Sequence, residues 1–250
     1  MAHIISILNH KGGVGKTTSA VNIGAGLNLL NKKVLIIDLD PQANLTLHLN
    51  FPIQGINNIY GALKEEYPLP VLNIKKGLDI VTSTLDLSVA EMELINEAGR
   101  EYLLKYLLEP IRGDYDYIII DCPPSLGLLS LNALSVANSV IIPIDMSSFA
   151  LAGMSKLFDI YKKVQSRLNS ELKFYKILMT KVDGRKVIHK NISEVIEEDY
   201  SKDLFKTKIR MNVSLEEAQM QSQDIFAYNI KSTGAEDYRE VCKEIIKNKK

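Results

Sequence analysis

The apolar run Ile4-Ile5-Ser6-Ile7-Leu8 leads within two residues into Lys11-Gly12-Gly13-Val14-Gly15-Lys16-Thr17-Thr18. A strand, a glycine-rich loop and then a helix, expected from about Lys16 to Leu30, is the layout of a phosphate-binding loop. Glycines let backbone N–H groups converge on phosphate oxygens that a Cβ would obstruct. Lys16 supplies a positive charge for β- and γ-phosphates, and the Thr17 hydroxyl is placed to ligate Mg²⁺. The helix that opens here aims its N-terminus at the same anions. Gly12, Gly13, Val14, Gly15, Lys16, Thr17 and Thr18 are therefore candidate nucleotide-binding residues. The general pattern G-x-x-x-x-G-K-[ST] asks for glycine at position 10. This chain has His10 there, followed by a second lysine, Lys11.

The rest of the chain alternates apolar strands with amphipathic helices, which predicts a mostly parallel, twisted sheet with helices on both faces. Strands are expected at Ile4–Leu8, Val34–Ile37, Leu78–Val81, Tyr117–Ile120, Val140–Ile144 and Lys176–Met179. Several are near-continuous β-branched runs, as strands covered on both faces require. A later helix is expected to bury Ile188, Ile192, Val195 and Ile196. The last helix carries Tyr238, Val241, Cys242, Ile245 and Ile246 on one stripe. The 250 residues suit one α/β domain spanning 1–250, with no helix-turn-helix segment ahead of the loop. No apolar run approaches the ~20 residues that span a membrane. Met1-Ala2-His3 leads straight into the first strand, so a signal peptide is not expected and a cytoplasmic location is. Cys122 and Cys242 fit no metal-ligand spacing and read as buried small hydrophobes. Formal net charge is zero, so any nucleic-acid binding has to come from a local patch. The tail Lys247-Asn248-Lys249-Lys250 is expected to be frayed and solvated.

Two further segments fall at strand ends, where open α/β sheets bind ligands. The first is Asp38-Leu39-Asp40-Pro41-Gln42-Ala43-Asn44. Two carboxylates there can hold a metal's water shell and orient an attacking water. The second is Tyr115-Asp116-Tyr117-Ile118-Ile119-Ile120-Asp121-Cys122-Pro123-Pro124-Ser125. An apolar strand ending in Asp121 is a Walker B element, whose carboxylate reaches Mg²⁺ through water or the loop threonine.

The Lys-Gly-Gly-x-Gly-Lys-Thr loop resembles the deviant P-loop of the ParA/MinD ATPases. The D-x-D-P-Q-x-N and Asp-Cys-Pro-Pro-Ser segments resemble the same family. So do Ser130-Leu131-Asn132-Ala133-Leu134, Met179-Thr180-Lys181-Val182-Asp183, the stretch Lys208–Val213 with the helix start after it, and Gly234–Tyr238. The resemblance implies a single-domain P-loop NTPase that hydrolyses ATP slowly, as a switch, with ATP and Mg²⁺ as ligands. It assigns Asp40 to the hydrolytic water, Asp38 and Asp121 to the Mg²⁺ shell with Thr17, and Lys16 to the phosphates. It also implies that Lys11 reaches across a homodimer, formed when ATP is bound, to the partner's nucleotide. Arg210-Met211-Asn212-Val213-Ser214 stands where partition ATPases often carry Pro-Arg-Asn-Val-Arg near the base. Arg210 and Asn212 are its candidate nucleotide contacts, while the proline and the second arginine, at Ser214, are gone. Ser147 and Ala152 replace common glutamates near the dimer contact, where Asp145 is available to compensate.

Within the family the motifs resemble the ParA/Soj partition branch. That resemblance implies plasmid or chromosome segregation, non-specific DNA binding by the ATP dimer, nucleoid association, and a ParB-type centromere-binding partner that stimulates hydrolysis. Arg185, Lys186 and Lys190 cluster at one helix start. Lys206, Lys208 and Arg210 alternate along an expected strand and would face one side. Such a patch neutralises phosphates without reading bases. A solvated charged face is the competing reading. Two rivals stay open, a cargo-positioning ATPase of the same family and a MinD-like membrane-surface regulator. A nitrogenase iron-protein homologue is disfavoured because no cysteine lies at a bridging-cluster position, Cys122 following the Walker B aspartate inside a Pro-Pro turn. The final helix shows one apolar stripe suited to docking on the core and no basic amphipathic extension, so no membrane partner is expected.

Overall fold

In the computed structural model, which describes residues 1–147 and 154–248, seven strands form one sheet. They are β1 (His3–Ile7), β2 (Val34–Asp38), β3 (Leu72–Lys75), β4 (Leu78–Val81), β5 (Tyr117–Asp121), β6 (Ser139–Asp145) and β7 (Phe174–Thr180). Their order across the sheet is β3-β4-β2-β5-β1-β6-β7. Every neighbouring pair is parallel except β3 with β4. The helices are α1 (Lys16–Leu29), α2 (Asn44–His48), α3 (Ile59–Leu63), α4 (Leu87–Glu93), α5 (Leu103–Leu108), α6 (Leu128–Val136), α7 (Met154–Arg167), α8 (Val187–Tyr200), α9 (Val213–Met220), α10 (Ile225–Asn229) and α11 (Thr233–Asn248).

The β-branched runs make this architecture possible, because alternate side chains of each strand point to opposite faces and both faces are apolar. On one face Ile4, Leu35, Ile37, Ile118, Ile120 and Ile142 pack with Leu104, Ala133, Val164 and Ile196. On the other, Ile5, Ile7, Ile36, Ile119 and Ile141 pack with Val21, Ile23, Phe226, Tyr238 and Val241. The helix that follows the loop, α1, is squeezed between the sheet and α11. A Cβ at Gly24 would lie 2.4 Å from Ile36 Cδ1, and one at Gly26 would lie 2.7 Å from Cys242 Sγ. Each glycine costs about 1 kcal/mol of helix propensity, and the close approach requires it.

The stripe of α11 is spent on this contact: Tyr238, Val241, Cys242 and Ile245 are all buried. It is therefore not available as a membrane-facing surface. Among the described residues no helix is long and apolar enough to cross a membrane. Both cysteines are buried, as expected. Lys249 and Lys250 lie outside the described residues.

Three local expectations need correction. The edge strand β3 went unread because it has only two partly buried positions in four residues and follows a proline-rich turn. On α8 only Ile196 of the expected stripe is fully buried. Ile188 and Val195 are exposed, and Ser193 takes an inward position. Residues 206–210 form no strand. This segment touches the edge of the sheet through isolated bridges, Leu204 to Ile177 and Arg210 to Val182, so Lys206, Lys208 and Arg210 are not held on one side by strand alternation.

Candidate functional site

The topology brings the motifs together. Strands β2, β5 and β1 are adjacent, and Asp38 pairs in register with Asp121, which pairs with Ile7. The phosphate-binding loop leaves β1 at the same edge. Gly13 and Gly15 have φ of +74° and +89°, a left-handed backbone that favours glycine. No atom lies within 4 Å of an ideal Cβ at Gly12 or Gly13, so these residues face open space. Gly12, Gly13, Gly15, Lys16, Thr17, Thr18, Asp40, Gln42 and Pro124 line one cavity of about 380 Å³, within the usual size range of ligand sites. Val14 is buried instead, and its carbonyl accepts a hydrogen bond from Thr180 Oγ1 at 2.8 Å. Any part it has in anion binding runs through its backbone N–H.

Lys16 is nearly buried, and burial lowers its pKa while Asp121 and Asp40 oppose that shift. Its Nζ donates to the Lys11 carbonyl at 3.1 Å. A desolvated ammonium at the mouth of a glycine-rich loop is a strong site for a polyphosphate.

Thr17 Oγ1 donates to Asp121 Oδ2 at 2.7 Å. The other oxygen, Oδ1, is buried with no hydrogen-bond partner. Burial and the neighbouring Asp38 push the Asp121 pKa well up. An orphaned buried carboxylate oxygen beside a threonine hydroxyl fits a hydrated divalent cation. Among the described residues no group of three His, Cys, Asp or Glu side chains is arranged to hold a metal alone. The cation would draw its remaining ligands from phosphate and water, as Mg²⁺ commonly does.

Asp38 is occupied. Oδ2 accepts from Thr46 N at 2.8 Å and Thr46 Oγ1 at 2.7 Å, and Oδ1 accepts from Asp40 N at 3.2 Å. Its geometry braces the loop that carries Asp40. Burial pushes its pKa up to about 6, partly offset by the Thr46 hydrogen bonds. The folded value lies above the ordinary 3.8, so the associated stability is fully present below that pH and is lost as pH rises through about 6. The span is worth about 3 kcal/mol. Without nucleotide, the melting temperature of wild type relative to Asp38→Asn should therefore fall between pH 4 and 7 and level off above. A difference independent of pH, by calorimetry, would contradict this.

Asp40 lies mostly buried at the cavity wall. Its Oδ1 accepts from Gln42 N at 2.9 Å, and its carbonyl accepts from Ser83 Oγ at 2.8 Å. Burial raises its pKa, while the Gln42 hydrogen bond and Lys16 oppose the rise. A carboxylate held this way suits a water-orienting group.

Lys11 does not lie over the loop's own cavity. Its Nζ donates to Asp145 Oδ1 and Oδ2 at 2.8 and 2.7 Å and to Ser147 Oγ at 2.7 Å. Ser147, one of the two glutamate replacements, thus holds the lysine together with Asp145. Ala152, the other, lies outside the described residues.

A second cavity adjoins the first and is lined by Gly15, Thr18, Ile209, Tyr238 and residues of α9. Arg210 and Asn212 line it too, but their side chains are engaged. The Arg210 guanidinium is bonded to Asp237 and Glu236, which raise its pKa. Asn212 caps α9, accepting from Ser214 N at 2.8 Å and donating to Thr233 Oγ1. Both residues shape the cavity wall through the loop they brace. Thr46, Glu216 and Gln219 escaped the sequence reading, and Lys181 stood in a matched segment at a strand end without being assigned to the site.

The basic residues divide similarly. Arg185 pairs with Asp183 at 2.9 Å, and Lys208 pairs with Glu197. Lys186, Lys190 and Lys206 are exposed and carry no ion pair among the described residues. Cys122 is fully buried, so its thiol does not reach the surface, where a cluster bridging two chains would sit.

Fold and site together define a P-loop nucleoside triphosphatase of the doubly wound type. A family model described as an AAA domain matches residues 2–174. Sporulation initiation inhibitor protein Soj of Bacillus subtilis is 40% identical over 254 residues, covering 99% of this chain and 100% of that protein. Chromosome partitioning protein ParA of Myxococcus xanthus is 41% identical over 251 residues, covering 99% and 89%. Among solved structures, cobyrinic acid a,c-diamide synthase from Mycobacterium smegmatis, with bound ATP analogue and magnesium, superposes with a TM-score of 0.88 at 30% identity, covering 99% and 96%. The chain belongs to the ParA/Soj family of partition ATPases.

Proposed function

We propose that this protein is a Mg²⁺- and ATP-dependent switch for plasmid or chromosome partition, a dimer with ATP and a monomer after hydrolysis. The observation that carries the reading is the convergence of Lys16, the Thr17–Asp121 pair and Asp40 at the ends of adjacent strands, with a second lysine at the loop's entrance. ATP and Mg²⁺, which accompany solved relatives, suit that set. Bound Mg²⁺ would offset phosphate charge and order the triphosphate. Lys16 and the loop N–H groups bind the phosphates, Thr17 and Asp121 hold the cation's hydration shell, and Asp38 fixes the Asp40 loop. Asp40 orients the attacking water. Lys11 exchanges Asp145 for the partner's phosphates, so the dimer persists only while a triphosphate is present to hold it.

In this reading the ATP dimer binds DNA non-specifically through Lys186, Lys190 and Lys206, and is nucleoid-associated in the cytoplasm. A ParB-type centromere-binding protein stimulates turnover. Two small patches on one dimer combine through effective concentration, so binding should need ATP and fall steeply with salt. The test is pelleting with non-specific duplex, and in parallel with anionic liposomes, in ATP, ADP and no nucleotide. DNA retention is expected only with ATP. It should be lost in Lys186→Glu/Lys190→Glu, with basal hydrolysis kept, and lost in Lys11→Ala, with ATP still bound. Equal retention in all three states would contradict the switch. Retention by liposomes alone would favour a membrane-surface regulator, and by neither, a cargo-positioning ATPase.

A further inference from the structure

The two cavities beside the phosphate-binding loop share Gly15, Thr18, Lys181 and Gln219. Lys181 therefore stands between the end that holds Lys16 and Asp40 and the end walled by Ile209, Arg210 and Asn212. Its backbone is left-handed, with φ of +54°. That conformation is uncommon for a lysine, and residues held in it by their surroundings cluster at ligand sites.

The surroundings here do so. Thr180 Oγ1 donates to the carbonyls of Val14 at 2.8 Å and Ile144 at 3.0 Å. Val182 N donates to the Ile209 carbonyl, and Met211 N donates to the Val182 carbonyl, each at 3.0 Å. The residues on either side of Lys181 are thus pinned to the loop and to the base-side segment. Lys181 Nζ donates to the Gly13 carbonyl at 2.8 Å. Because a peptide is planar and trans, fixing the Gly13 carbonyl also fixes the Val14 N–H, which points the opposite way.

Charge singles out the same residue. The second cavity has two cationic side chains in its wall, Arg210 and Lys181. Arg210 is neutralised by Asp237 and Glu236. Lys181 has no carboxylate partner among the described residues. Its ammonium has three donors, and one is committed to Gly13.

We propose that Lys181 is a nucleotide-positioning residue. It fixes the Gly13–Val14 peptide and supplies the cation midway along the cleft, beside the ribose and α-phosphate common to ATP and ADP. The inference rests on reading this cleft as the ATP site.

The test is calorimetric titration of the full chain with ATP and ADP, in Mg²⁺ and at two salt concentrations. The variants are Lys181→Asn, Lys181→Gly and Lys181→Arg. Asparagine and glycine both accept the left-handed backbone. Each should weaken ATP and ADP by the same factor, about 10-fold. Each should also flatten the salt dependence of binding, because a cation is gone. Lys181→Arg should recover most of the affinity. A purely structural brace would leave the salt dependence unchanged. Affinity within twofold of wild type in Lys181→Asn or Lys181→Gly would overturn the proposal, as would a loss confined to ATP. If one of these two does not fold, the other decides the question. Wild type that bound neither nucleotide would instead overturn the ATP-site reading.

Discussion

Asp40→Ala is expected to bind ATP with nearly unchanged affinity and to lose turnover by roughly 100- to 10,000-fold, the usual contribution of a positioned acid–base group. The carboxylate sits at the cavity wall, held by Gln42 N and by the Ser83 contact to its own carbonyl. It makes no hydrogen bond to a residue of the phosphate-binding loop, so its removal leaves the cradle intact. Its backbone position is set from behind by Asp38, which accepts from Asp40 N and is itself tied to Thr46. Alanine at position 40 keeps that brace. Single-turnover hydrolysis alongside equilibrium binding separates the two effects. Turnover at the wild-type rate would remove Asp40 from the chemistry.

Lys16→Ala should lose ATP affinity by about 100-fold or more, since charge-assisted hydrogen bonds to phosphate contribute about 1.5–3 kcal/mol each. The electrostatics strengthen the case. Lys16 is desolvated at the cost of a lowered pKa, and its compensating neighbours are Asp121 and Asp40. Without it, carboxylates would face the phosphates across the same cavity. The nucleotide-free variant should still fold, because the ammonium's hydrogen bond within the protein is to a single carbonyl of its own loop. Calorimetric titration with Mg²⁺-ATP measures the loss. Unchanged affinity would remove the phosphate-binding assignment.

Much of the fold could be read from short-range pattern. The β-branched runs of β1, β2 and β5 and the apolar stripe of α11 each match one periodicity, and burial on two faces leaves little alternative. The same holds for the loop, because glycine, lysine and threonine at fixed spacing have few other uses. What escaped depends on side-chain contacts that no local pattern encodes, most of them between segments far apart in the chain. Nothing local reveals that Thr46 ties up Asp38, that Asp237 and Glu236 occupy Arg210, or that Asp145 and Ser147 hold Lys11. Alternation of Lys206, Lys208 and Arg210 suggested a strand, but the segment meets the sheet only through isolated bridges. Lys208 and Arg210 are instead drawn to Glu197, Glu236 and Asp237. A charge pattern in sequence counts cations without their partners, so the patch looked larger than it is.

The proposed switch is tested most directly by the solution mass of Asp40→Ala, in which hydrolysis is expected to be too slow to erase the ATP state. Light scattering should give the mass of one 28.0 kDa chain with ADP or no nucleotide, and twice that mass with Mg²⁺-ATP. The doubling should disappear when Lys11→Ala is added. A single-chain mass in Mg²⁺-ATP, with ATP shown to be bound, would contradict an ATP-driven dimer.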